Sequence, residues 1–148
     1  MGLDMYLTAH RYISAWQDEE KTIAEKIEPL FPELNGLKIK GIDVEAMYWR
    51  KSNQIHNWFV NNCQGGEDKC QEVDVSRDDL NLLLFTCEQV LADHSKAEEL
   101  LPPAAGFFFG GTDIDDYYYE DLQATVEGLK KALLLPDSEW YFNYRASW

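Results

Sequence analysis

The sequence predicts an α+β fold, a small antiparallel sheet with three to four helices packed mainly on one face, and three observations lead there. Period-two alternation of apolar and polar residues, the pattern of a half-buried strand, is confined to stretches near residues 3–10, 38–50 and 139–148. Helical spacing of apolar residues fills most of what lies between them. Strands at both ends and before the middle helices give neither a regular βαβ alternation nor an all-β spacing, and no internal repeat is present.

Leu3, Met5 and Leu7 alternate with Asp4, Tyr6, Thr8 and His10, which predicts the first strand. Residues 17–28 are rich in charge, with Ile23, Ala24 and Ile27 along one side of a short helix, and Pro29 and Pro32 then break the chain. Asn35-Gly36 turns into a second strand over 38–50, where Ile42, Val44, Ala46 and Tyr48 alternate with Asp43, Glu45, Met47 and Trp49. Ser52 is placed to cap the next helix, whose Ile55, Phe59 and Cys63 recur every fourth residue, with Asn53, His56, Asn57 and Val60 on another face. Residues 64–68 form a loop.

Ser76 followed by Asp79 has the spacing of a capped N-terminus, and Leu80, Leu83, Leu84, Cys87 and Leu91 then make an amphipathic stripe. Pro102-Pro103 ends that region and the Gly-rich Gly106–Gly111 follows. Thr112 or Asp113 can cap a long helix striped by Tyr118, Leu122, Val126, Leu129 and Leu133. Pro136-Asp137-Ser138 turns into a closing strand with Trp140, Phe142, Tyr144 and Ala146 on one face.

A length of 148 residues with 45% hydrophobic content suits a single domain over 1–148 with one core. The net charge of −14 is uneven: residues 1–60 hold nine acids and seven bases, residues 61–148 eighteen acids and six bases. Binding to nucleic acid or to an anionic membrane relies on Lys and Arg, so both are disfavoured. The acidity keeps the chain in solution or forms a face for a basic protein patch. Cys63, Cys70 and Cys87 are odd in number and lack a CxxC pair, which fits reduced thiols in a cytoplasm. Residues 1–6 show no basic and apolar leader, and Tyr6 stands where a myristoylation signal opening Met1-Gly2 needs Ser or Thr.

The candidate site is the segment around 48–59. Tyr48, Trp49, Arg50, Lys51, Asn53, His56 and Trp58 bring together residue types that serve as binding anchors, each joining a rigid contact surface to a directional polar group. At a strand-to-helix junction, Arg50 can reach a phosphate or carboxylate while Trp49 or Trp58 stacks on a base. The competing reading puts both indoles in the core and pairs Arg50 with an acid such as Glu45. Arg145 and Trp148 repeat the Arg-plus-indole pairing, and Arg50 and Arg145 can line one pocket if the closing strand pairs with the second.

His56 has the chemistry of a general base, with Asn53 one turn away to hold its ring, but it lacks a second group; Asp4 and His10 lie too far apart along one strand to supply it together. The Gly106–Asp113 loop lacks the Lys-Ser/Thr of a phosphate loop, and reads instead as an aromatic plug at one end of the core. Cys63, Cys70, His56 and His94 match no zinc spacing, and Asp113, Asp115 and Asp116 lack that of a calcium loop, so no metal and no cofactor is implied. No nucleophile elbow or activated cysteine is visible.

The opening Met-Gly-Leu-Asp-Met-Tyr-Leu, the central Tyr-Trp-Arg-Lys with Asn53, His56 and Trp58-Phe59-Val60, the Gly-Phe-Phe-Phe-Gly loop and the Tyr-Arg-x-Ser-Trp ending resemble a family of small uncharacterised proteins encoded by bacteriophages and prophages. The likeness spans nearly the whole chain and carries no activity. It implies a setting in bacterial host cytoplasm, where accessory proteins antagonise host defences by masking a protein surface or sequestering a nucleotide signal. The leading expectation is therefore a non-enzymatic inhibitor that engages a host protein through an acidic, aromatic surface with Asp113, Asp115 and Asp116. The alternatives are a sponge for an anionic nucleotide-like molecule around Arg50 and His56, and a small nucleotide-acting enzyme using His56.

Overall fold

The computed structural model describes residues 2–148, so Met1, with the Met1-Gly2 reading, lies outside the described residues. Four antiparallel strands run in the order β2-β1-β4-β3: β1 Asp4–Tyr12, β2 Gly41–Arg50, β3 Val73–Val75 and β4 Tyr141–Ser147. Helices α1 Asp18–Ile27, α2 Asn53–Cys63, α3 Arg77–Ala92, the single turn α4 Ala97–Leu100 and α5 Asp116–Ala132 complete the α+β architecture. Among the described residues no helix is long and apolar enough to cross a membrane.

Alternation places Leu3, Met5, Leu7 and Ala9 on the covered face with Phe142, Tyr144 and Ala146 of β4, all buried. α2, α3 and α5 supply the other half of that core through Ile55, Phe59, Leu80, Leu83, Leu122 and Leu129. Tyr6, Tyr12, Tyr48 and Tyr141 are exposed on the opposite, uncovered face. Residue 128 is glycine because α5 crosses β2 closely there: a Cβ would sit 2.0 Å from the Met47 sulfur.

β2 departs from its predicted pattern. Leu7 pairs with Met47 but Thr8 with Glu45, which leaves Ala46 as a bulge and shifts the alternation by one residue. Beyond the bulge Met47 and Trp49 face the core, and Tyr48 turns to the open face. β1 lies between β2 and β4, so the pairing of the second and closing strands does not form, and Arg145 faces Tyr6 across the ladder instead of joining Arg50 in a pocket.

The helix starts follow cap chemistry with two corrections. Ser76 accepts from the Asp79 N–H while Asp79 accepts from the Ser76 N–H, the reciprocal box the spacing predicted. Ser52 occupies the cap position of α2 without a capping hydrogen bond. α5 is capped by Asp115, which accepts from the Tyr118 N–H at 3.1 Å, and not by Thr112 or Asp113.

Candidate functional site

The β2–α2 junction is built on a strained turn. Lys51 has φ +57°, a left-handed conformation that costs a side-chain-bearing residue about 1–2 kcal/mol. Its N–H donates to the Leu3 carbonyl at 2.7 Å, and its carbonyl accepts from the Asn53 N–H at 2.9 Å, so the chain reverses sharply from strand into helix. Arg50, at the strand end, pairs with Asp4 at 3.3 Å, and Tyr48 donates to the same carboxylate at 2.5 Å, which raises the pKa of that phenol. The ion pair expected for Arg50 is thus made with Asp4 and not with Glu45.

Asn53 is buried, and its amide clamps the glycine-rich loop onto the junction. Its Nδ2 donates to the carbonyls of Phe109 at 3.1 Å and Gly111 at 2.8 Å, and its Oδ1 accepts from the Ala104 N–H at 3.0 Å. Sequence reasoning gave this side chain to His56; its partners are instead three backbone groups more than fifty residues on. The clamp brings Asp113 and Asp115 across from Arg50 and Lys51, and Asp121 of α5 closes the same side.

The result is a recess of about 300 Å³ with a cationic wall and an acidic one. Burial raises the Asp121 carboxyl above its ordinary range. Tyr117, 76% exposed, stands at the rim, and Asp116 is exposed beside it as the first residue of α5. No imidazole or thiol lines this recess. Three carboxylates facing two cations also oppose a polyphosphate, whose charge they repel at close range.

His56 lies elsewhere, sealed in the core. Its ring is 1% exposed; Nδ1 meets the Tyr144 hydroxyl at 2.6 Å and Nε2 meets the Asp68 carboxylate at 2.7 Å, while Trp148 Nε1 donates to that carboxylate at 3.0 Å. The arrangement is satisfied throughout when Tyr144 donates to Nδ1 and Nε2–H donates to Asp68. Phe109 packs edge-on against both His56 and Trp148, so the loop does form an aromatic plug, although Phe107 is 93% exposed. Sequence reasoning found no second group for His56; two exist, Tyr144 and Asp68, and the His56 and Tyr144 side chains are fully buried.

The remaining candidates divide between core and surface. Trp49 donates to the Thr125 hydroxyl at 2.8 Å and, like Trp58, packs edge-on against Phe59, so neither indole is free to stack on a ligand. Arg145 is exposed on the open sheet face, and Trp148 is half-exposed over Asp68. Burial pushes the Cys63 and Cys87 thiols up to about 12, which keeps both un-ionised at neutral pH. Among the described residues no three His, Cys, Asp or Glu side chains converge to hold a metal ion. Compared with family models, curated proteins and solved structures, the chain matches none.

Proposed function

We propose that the chain is a non-enzymatic binding protein of the bacteriophage-accessory kind, which inhibits a bacterial host protein by engaging it at the β2–α2 junction. One observation carries this reading: the cationic and acidic candidates, about sixty residues apart in sequence, line one recess with the exposed Tyr117 ring at its rim. A strained Lys51 held beside it is a cost that the fold maintains, as recognition sites do. The opposed charges suit a protein partner that presents both signs, a basic side chain entering between Asp113 and Asp121 and an acidic one meeting Arg50 or Lys51.

The test is affinity capture from bacterial lysate with wild type, Asp113→Lys and Lys51→Glu, each partner identified by mass spectrometry and confirmed with purified protein by calorimetry. One specific host protein should bind wild type and be weakened by either charge reversal. Asp115 is spared because its carboxylate caps α5. Capture of no specific protein, or capture by both variants at the wild-type level, overturns the proposal.

A further inference from the structure

A second recess, of about 830 Å³, opens at the other end of the β1–β2 pair, between α1 and the segment 38–43. Its size falls within the ~300–1,000 Å³ typical of small-molecule sites. α1 buries no residue, and it contributes Lys21, Ala24 and Glu25 to the lining of this space. The frame is nevertheless fixed, since the Ile13 N–H donates to the Lys40 carbonyl at 2.8 Å, the Ser14 N–H to Glu20 at 2.8 Å and the Ile39 N–H to Glu28 at 3.3 Å.

The lining joins flat apolar groups to a few oriented polar ones. Tyr12, Ile13 and Ile39 form apolar walls, and the Trp16 indole stands at the mouth 95% exposed. His10 is fixed by a hydrogen bond from Nδ1 to Asp43, its direct neighbour across the ladder, and Tyr12 packs edge-on against its ring at 4.3 Å. The ring lies over Gly41, where a Cβ would come within 2.6 Å of Cε1 and 2.8 Å of Nε2, so residue 41 leaves room for the imidazole. No hydrogen-bond partner for Nε2 is found among the described residues.

Charge then selects the occupant. Of the lining carboxylates, Glu28 pairs with Lys38 at 3.7 Å, Glu25 with Lys21 at 4.0 Å, and Asp43 with His10. Lys40 is the lining cation with no carboxylate in ion-pair distance among the described residues. We infer that this recess is a binding site for a small planar aromatic molecule bearing one anionic group, its ring against Tyr12 and Trp16, its charge at Lys40 and a polar atom at His10. The inference does not rest on the β2–α2 junction.

Amide NMR titration of the whole chain with indole-3-acetate tests it, with tryptamine as the cationic counterpart. Saturable shifts are expected in residues 12–16, α1 and 38–43, with tryptamine weaker by about tenfold. Lys40→Glu and Trp16→Ala, both surface changes, should each weaken indole-3-acetate by about tenfold, whereas Lys51→Glu at the other recess leaves it unaltered. Absence of saturable shifts, shifts centred elsewhere, or unaltered affinity in either Lys40→Glu or Trp16→Ala overturns the inference.

Discussion

Tyr144→Phe separates a structural role for His56 from a functional one. The substitution removes only the hydroxyl that meets His56 Nδ1 at 2.6 Å, and it preserves the ring stacked on Phe59 at 3.9 Å and 9°. With His56 1% exposed, water does not replace the lost partner. A buried polar group stripped of its hydrogen bond costs about 1–3 kcal/mol, so roughly 2 kcal/mol is the working figure. For a chain of this size that corresponds to a Tm lowered by about 4–8 °C and a urea midpoint lowered by ~1 M with the slope unchanged. Circular dichroism through a urea titration measures the midpoint, and calorimetry on the same sample measures partner binding. A midpoint within error of wild type would sink the argument that this chain of hydrogen bonds stabilises the core. Loss of binding at an unchanged midpoint would make His56 part of recognition.

Three further outcomes follow from the same geometry. Lys51→Gly relieves the left-handed strain and should raise stability by about 0.5–1 kcal/mol in urea while weakening the host-protein complex; a loss of stability would show that the Lys51 stem, not its backbone, matters at the junction. Ser76→Ala removes the acceptor 3.0 Å from the Asp79 N–H and should cost about 1 kcal/mol, read from the same titration, and no change would mean α3 starts without its cap. Burial raises the Asp121 pKa, so the folded state holds that proton more tightly than the unfolded chain. The associated stability is present below the ordinary value of 3.8 and is lost as pH rises through the raised folded one. Asp121→Asn should therefore exceed wild type in Tm at pH 7 and converge with it in acid; a gap that widens in acid contradicts this.

The outer strands of the sequence were legible because one face of the sheet is covered and the other is not. Leu3, Met5 and Leu7, and likewise Phe142, Tyr144 and Ala146, alternate with residues that meet solvent. β2 was legible as a strand but not in phase, because the Ala46 bulge answers to the register with β1, which no pattern within residues 38–50 records. Val73–Val75 is too short to show a period, and α4 is a single turn. Within the site, the sequence marked Arg50, Lys51 and Asn53, but their opposite wall depends on a clamp between Asn53 and the carbonyls of Phe109 and Gly111. Asp68 was hidden for a similar reason, since it returns to His56 only through the reversal at Gly65-Gly66. His10 and Asp43 become neighbours only through the β1–β2 register, which the long connection over residues 13–40 does not disclose.

The strand order also imposes a timetable on folding. β1 lies inside the sheet, and one of its two neighbours is β4, which is synthesised after the other three strands. The hairpin of β1 and β2 can form early, but Met5 and Leu7 lack a flanking strand on the other side, and His56 lacks Tyr144, until Tyr141–Ser147 has been made. Such long-range pairing folds slowly, and the waiting intermediate carries an unpaired apolar strand edge. A nascent chain halted before β4 is thus the species most exposed to aggregation and proteolysis, and the final seven-residue strand converts it into a closed core.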